Sequence, residues 1–219
     1  MNHLQKVGGI AAILHSVAYL IGIGLYLAVM SPIIEATPEQ YVMLLPEYKD
    51  IMSVWILIAY LLAGLCLVPV SLAFYERLKT ATPSLIQIST VLGFIWATLI
   101  IGSGNLMIHG FEEIADLYAK NPAQAETVYV TLKIVENGIV SANELTGGLW
   151  ILLLSWAALQ IGELSKALNY LGVAIGIAGL LTLIPPITET AQLFFGMSMI
   201  VWFAWAGIIL LRKTSVRKI

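Results

Sequence analysis

Residues 113–130 read EIADLYAKNPAQAETVYV, a pattern that predicts two antiparallel helices joined by a tight turn. Asn121-Pro122 is a favourable N-cap followed by proline at the first helical position. Apolar residues keep a helical spacing on both sides of this pair. They are Phe111, Ile114, Leu117 and Tyr118 before it, and Ala125, Val128, Leu132 and Val135 after it. We therefore expect a helical hairpin over about 110–138, capped at Asn121.

The composition places the chain in a membrane. Of its 219 residues, 59% are hydrophobic and 11% are charged, whereas about a quarter of the residues of ordinary globular proteins are charged. A soluble domain is excluded because it needs far more polar surface. No Ser/Gly/Pro-rich linker divides the chain, so residues 1–219 are predicted to form a single membrane domain. Cys66 is the only cysteine, which excludes an intrachain disulfide.

Six apolar runs are long enough to cross a bilayer, whose core of about 30 Å needs a helix of about 20 residues. The predicted spans are 7–30, 51–75, 85–109, 139–161, 168–184 and 191–211. The predicted fold class is an all-α polytopic membrane protein with six transmembrane helices, the third and fourth extended outside the membrane as the hairpin. Thr37-Pro38-Glu39-Gln40 has the pattern of a capping box, which predicts an outer interfacial helix near 38–45.

Lysine and arginine are distributed unevenly between the two sides. If the N-terminus is inside, the inner segments hold eight of these residues and the outer segments hold three. The inner eight are Lys6, Arg77, Lys79, Lys166, Arg212, Lys213, Arg217 and Lys218, and the outer three are Lys49, Lys120 and Lys133. Because cytoplasmic loops carry the excess of positive charge, both termini are predicted to be cytoplasmic.

Small and aromatic residues suggest how the helices pack. Gly172, Gly176 and Gly179 form a small-residue face on the fifth helix, a feature that lets helix backbones approach closely in membranes. Four aromatic residues near span ends are typical of an interfacial belt or of lipid contact. They are Trp55, Tyr75, Trp150 and Trp202.

Polar residues inside the spans are the main functional candidates, because ionisable groups are costly in lipid. Asn105, His109, Glu112 and Asp116 share a narrow arc of the third helix, with Glu113 at its border; Asn137, Ser141, Glu144 and Gly148 form a stripe on the fourth. Since these helices run antiparallel, the stripes can face each other in the outer leaflet. The candidate ligand-binding residues are Asn105, His109, Glu113, Asn137, Asn143 and Glu144.

Two interpretations of these stripes remain open. In one, they line an outward-facing cavity that binds a solute, relays protons or holds a metal through His109, Glu113 and Glu144. In the other, the acidic residues are solvated on the projecting hairpin, while Asn105 and Asn143 hydrogen-bond across helices.

His15 lies in the inner half of the first helix, too far along the membrane normal to share a ligand with His109. We expect it to hydrogen-bond a neighbouring helix. Its stripe on the first helix also contains Gly8, Ala11, Tyr19, Gly22 and Tyr26.

Three parts of the chain carry a resemblance to known sequences. They are the Lys-x-Gly-Gly-Ile-Ala opening at Lys6–Ala11, LAFYERLK at 72–79, and a closing pattern of ELSKALNYLGVAIGIAGLL at 163–181, Pro185-Pro186 and FGMSMIVWFAWAGIILLRK at 195–213. The chain resembles a large family of bacterial and archaeal six-helix membrane proteins of unknown function. The resemblance implies a helical bundle in a prokaryotic cell membrane, and it brings no activity, cofactor or catalytic residue.

The predicted function is a multi-pass membrane protein whose outward-facing polar pocket or acidic hairpin binds a small molecule, a lipid or a partner protein. The alternative is a small-solute or proton-coupled transporter that uses Glu144 and His109. An intramembrane metal-dependent enzyme is less favoured, because the three histidines lie at different depths. We assign no catalytic residue, metal ligand or cofactor. The lipid bilayer is the expected partner, and nucleic acid is not.

Overall fold

The computed structural model describes residues 3–212, and all regular secondary structure in that range is helical. The six helices are α1 His3–Ile34, α2 Pro38–Leu78, α3 Pro83–Tyr118, α4 Pro122–Gln160, α5 Lys166–Leu181 and α6 Thr188–Leu211. A 3₁₀ turn, Pro185–Ile187, precedes α6. The all-α class is confirmed. Of the residues used in the charge count, Lys213, Arg217 and Lys218 lie outside the described residues.

The helices begin where the sequence supplies N-caps. The Thr37 hydroxyl accepts a hydrogen bond from the backbone amide of Gln40, and the Gln40 side-chain oxygen accepts one from the backbone amide of Thr37, which completes the capping box. The side chain of Asn121 accepts from the amide of Gln124 at 3.2 Å and so starts α4. Both caps satisfy amide groups that a helix cannot pair internally.

The helix capped by Thr37 does not end near residue 45. It continues to Leu78, so residues 38–45 are the first turns of a long helix rather than a separate interfacial one. Pro46 lies within this helix, where a proline removes a single hydrogen bond. Val42 and Leu45 are fully or almost fully buried, and their packing holds the region helical across the proline.

The six helices form a closed ring. Each helix packs against the one before it and the one after it in the chain, and α1 closes the ring by packing against α6. We call the end of the ring that carries the turns at residues 35–37, 119–121 and 182–187 the hairpin end. The opposite end carries the turns at residues 79–82 and 161–165.

Glycines set the distance between α4 and α5. A Cβ atom on Gly148 would lie 3.0 Å from the carbonyl oxygen of Gly176 and 3.0 Å from the Cα of Gly179. The expected small-residue face of α5 therefore meets the backbone of α4 directly, as small residues allow in membrane helices.

An aromatic core fills the ring toward the opposite end. Trp150 and Trp202 are fully buried and lie 5.6 Å apart between ring centroids, and Trp150 stacks on Phe203 at 5.8 Å. The expected interfacial belt is therefore wrong for these two tryptophans. They point inward because Gly93 leaves room for the ring of Trp150 and Gly172 leaves room for that of Trp202.

The outer surface of the ring is apolar. Exposed large hydrophobic residues recur at helical spacing on α1 and α6, the spacing of a single helix face. They are Val7, Ile10, Leu14, Val17 and Ile21 on α1, and Phe194, Met197, Val201, Trp205 and Ile208 on α6. Apolar faces of this extent are typical of lipid contact. Within residues 3–212, five helices are long and apolar enough to cross a membrane, and α5, at 16 residues, is shorter.

Replacing Gly148 by leucine tests the contact between α4 and α5. The added side chain would enter the α5 backbone, so we expect Gly148→Leu to lower the free energy of unfolding by about 1–3 kcal/mol. Thermal unfolding of the purified protein in detergent measures the change. Gly102→Leu is the matched control, because a Cβ at Gly102 would meet nothing within 4 Å. Equal midpoints for the two variants would contradict the packing.

Candidate functional site

A cavity of about 280 Å³ lies inside the ring, and we call it the inner chamber. All helices except α5 contribute to its wall. Six aromatic side chains face it: Tyr19, Tyr26, Trp55, Tyr60, Trp96 and Phe195. Its polar groups are few and come from Asn143, Glu144 and Gln192, in addition to the tyrosine hydroxyls. A mostly apolar cavity with a few convergent polar groups is the usual form of a small-molecule site.

A second cavity of about 380 Å³, the outer chamber, adjoins the first toward the hairpin end. Both chambers share five lining residues, so they are neighbouring cavities of the same ring. The shared residues are Tyr26, Trp55, Tyr60, Val140 and Gln192. The outer chamber adds Tyr129, Lys133, Glu136 and Asn137 from α4 and Tyr41 from α2.

Two side chains with hydrogen-bond acceptors, Asn143 and Glu144, line the inner chamber. Glu144 is half-buried and is hydrogen-bonded by two neutral side chains, Gln192 and Thr182; the side-chain amide of Gln192 donates to it at 3.0 Å. Asn143 is 8% exposed; its Nδ2 donates to the hydroxyl of Ser103 at 3.3 Å, and its Oδ1 has no partner in the structure. Buried polar atoms normally have a partner, so Asn143 Oδ1 is an unpaired, buried acceptor on a residue that lines the chamber.

Two π-helical segments shape the wall of the cavity. Residues Tyr26–Met30 of α1 and Leu57–Leu62 of α2 are π-helical, and they place Tyr26 and Tyr60 in the lining of both chambers. A π-helical insertion rotates the following residues relative to a regular helix and is frequent at functional sites. Trp55, just before the second segment, donates from Nε1 to the carbonyl oxygen of Gly22 at 3.1 Å, which ties α2 to α1.

Contacts near the hairpin end hold the wall of the outer chamber together. Tyr41 of α2 stacks on Tyr129 of α4 with ring centroids 4.0 Å apart. Lys133 pairs with Glu136 along α4 at 3.2 Å. These contacts join the first turns of α2 to α4 and neutralise the carboxylate of Glu136.

Three of the six candidate residues line the cavity. Asn143 and Glu144 face the inner chamber, and Asn137 faces the outer one. Asn143 also makes the expected hydrogen bond across helices, to Ser103 of α3.

The other three candidates, Asn105, His109 and Glu113, are exposed on the outside of α3 and belong to neither chamber. The expectation that the α3 stripe faces the α4 stripe is therefore wrong. The inward face of α3 instead carries apolar residues such as Met107 and Phe111. The amide of Asn105 donates to the carbonyl oxygen of Ile101, one turn earlier in its own helix, at 2.9 Å, so its side chain needs no partner across the bundle.

The histidines do not form a metal site with the acids. Among residues 3–212, no three His, Cys, Asp or Glu side chains are grouped so that they could hold a metal ion. His15 is buried, and its Nδ1 lies 2.9 Å from the carbonyl oxygen of Ala63 on α2. The expected hydrogen bond from His15 to a neighbouring helix is therefore present.

Many residues that line the two chambers were not predicted from the sequence. Tyr60 and Trp55 reach the cavity beside a π-helical segment that has no clear sequence signal. Tyr19 and Tyr26 were visible as part of the His15 stripe, which indicates one inward face of α1. Gln192 carried a further signal, since it is an amide near the start of an apolar helix.

Comparison with known proteins places the chain in a family. A family model described as a domain of unknown function (DUF4386) matches residues 8–214. No curated protein and no solved structure matches the chain. The matched region contains nearly all of the helical ring and every residue of both chambers, and it confirms the expectation of a family without an assigned function. The chain therefore belongs to the DUF4386 family.

Proposed function

We propose that the protein is a multi-pass protein of a prokaryotic cell membrane that binds a small molecule in the cavity near its hairpin end. One observation carries the proposal. The inner chamber combines six aromatic rings with the Glu144 carboxylate and the unpartnered Oδ1 of Asn143. An unpaired buried acceptor costs about 1–3 kcal/mol, and among the described residues Asn143 Oδ1 is the one such atom that belongs to a residue lining the chamber.

In this proposal all six helices cross the membrane and both termini are cytoplasmic. The placement of α5 in the ring between α4 and α6 supports its crossing despite its 16 residues. The 36 residues of α3 and 39 of α4 correspond to about 54 and 58 Å at about 1.5 Å per residue. Since a bilayer core measures about 30 Å, both helices extend beyond it, and the distribution of lysine and arginine assigns that extension to the outside.

The structure favours binding over transport. The inner chamber ends against Trp96 and Phe195, which pack into the aromatic core toward the opposite end of the ring. A solute crossing the ring would have to displace these rings together with Trp150 and Phe203. His109, the second residue of the transport hypothesis, lies exposed on α3 and outside the cavity. A lipid or partner protein on the exposed acids of the hairpin remains the other binding alternative.

Cysteine labelling tests the orientation. In a Cys66→Ala background, we expect Lys120→Cys in the α3–α4 turn to react with a membrane-impermeant maleimide in intact cells. Thr80→Cys, in the turn between α2 and α3, should react only after the cells are permeabilised. Both positions are exposed, so a difference reports the side of the membrane. The reverse pattern would overturn the proposed orientation.

Filling the inner chamber tests whether it holds a ligand. Gly196 lines the chamber, and a Cβ there would meet nothing within 4 Å, so a phenylalanine has room only at the expense of the cavity. We expect wild-type protein purified from its native membrane to release a small molecule on denaturation, at close to one per chain. Gly196→Phe should release at least about tenfold less, as measured by mass spectrometry.

Gly102→Phe provides the matched control for this experiment. It adds the same side chain on the exposed outside of α3, where the space is also open, and should release as much small molecule as the wild type. If Gly196→Phe and the wild type release the same compounds in the same amounts, the cavity is not the binding site.

A further inference from the structure

We propose that the ligand of the inner chamber is a small organic cation. Its charged nitrogen would lie at the Glu144 carboxylate and the Oδ1 of Asn143, and its apolar part would lie among the aromatic rings. This inference deepens the proposed function and rests on it.

The first argument is an unbalanced charge. None of the fifteen residues that line the inner chamber is lysine, arginine or histidine. Within the described residues, Glu144 forms no ion pair, whereas Glu136 of the outer chamber is paired with Lys133. A carboxylate that is partly withdrawn from water is stabilised by a counter-charge. The chain does not supply one to Glu144 from the chamber wall, and a cationic ligand would.

The second argument is an open acceptor beside that charge. Seven buried side-chain polar atoms lack a partner in the described part of the chain. Asn143 Oδ1 alone among them belongs to a residue that lines either chamber. Asn143 is adjacent to Glu144 and 8% exposed, and its Nδ2 is occupied by Ser103. What remains free is an oxygen, which accepts hydrogen bonds or attracts a positive charge.

The third argument is the aromatic lining. Cations bind favourably over the faces of tryptophan and tyrosine rings, and desolvated sites built from such rings recognise alkylammonium groups. The inner chamber has two tryptophans, three tyrosines and one phenylalanine in its wall. The indole N–H of Trp55 is already bonded to Gly22, so the ring contributes its π-system rather than a donor.

The same groups disfavour other ligands. An anion would meet the Glu144 carboxylate without any lysine or arginine in the wall to compensate. A purely apolar molecule would give Glu144 no counter-charge and the Oδ1 of Asn143 no partner, and burying polar groups in this way is unfavourable. An organic cation satisfies the acceptors and the rings together.

Choline and 3,3-dimethylbutan-1-ol form a probe pair that isolates charge, because they differ mainly in a nitrogen cation replaced by carbon. The affinity of each for purified full-length protein can be measured from the fluorescence of Trp55 and Trp96, which line the chamber. We expect choline to bind at least about tenfold more tightly than the alcohol. Equal affinities, tighter binding of the alcohol, or no binding of choline would overturn the inference.

Variants of Glu144 and Glu113 test whether the preference for choline over the alcohol arises in the inner chamber. Glu144→Gln keeps the size and an acceptor for Gln192 but removes the charge, so choline binding should weaken about tenfold and the alcohol should be unaffected. Glu113→Gln removes an exposed carboxylate outside the cavity and should change neither affinity. An unchanged choline preference in Glu144→Gln would contradict the role of Glu144.

The comparison of the two probes on wild-type protein does not depend on any variant folding. The release experiment with Gly196→Phe distinguishes the cation inference from the proposed binding cavity. Release of a neutral or anionic compound in the Gly196→Phe experiment would overturn the cation inference and leave the binding cavity standing. Equal release from Gly196→Phe and wild type would instead remove the cavity itself.

Discussion

The packing around Trp150 is the constraint on which the rest of the ring depends. Its side chain is fully buried, stacks on Phe203 of α6 and lies 5.5 Å from Trp96 of α3. These contacts tie three of the six helices at one level of the ring. They require glycine at neighbouring positions, because a Cβ on Gly147 would lie 2.6 Å from the Trp96 ring and one on Gly93 would lie 2.7 Å from the Trp150 ring. The large rings fit because glycines stand beside them, and these positions require glycine because the rings fill the space.

The cavity follows from this packing. The aromatic core fills the ring from the opposite end as far as Trp96, and a second apolar core holds the hairpin end together around Met52, Phe111 and Ala125. The chambers lie between the two cores. On one side the glycines of α4 and α5 draw the helices together, while on the other the π-helical segments of α1 and α2 turn Tyr26 and Tyr60 inward. The cavity is therefore part of the fold and not a packing defect.

The positions of the helices were predicted well from the sequence, but the face that each helix turns inward was predicted poorly. Caps and apolar runs are local signals, and the starts at Thr37 and Asn121 were predicted because a cap involves residues three apart. Which face of a helix points inward depends on its neighbours. The arc of Asn105 and His109 is real, but α3 turns it outward because Met107 and Phe111 fill the interior. On α4, Asn143 and Glu144 line the inner chamber, and their role as ligand-binding residues stays a prediction.

Glu144 and Asn143 also bear on why a mostly apolar protein keeps a polar cavity. Polar side chains that join helices in membrane proteins leave few polar atoms unpaired, because they stabilise the fold through the hydrogen bonds they make. Asn143 fits that role through Nδ2 and departs from it through Oδ1. Among the described residues, Glu144 is hydrogen-bonded by the neutral side chains of Gln192 and Thr182, which do not balance a carboxylate. Both groups cost stability as they stand, and departures of this kind concentrate at functional sites. A bound molecule that paired with both would return that stability to the folded protein, since any ligand specific for the folded state stabilises it.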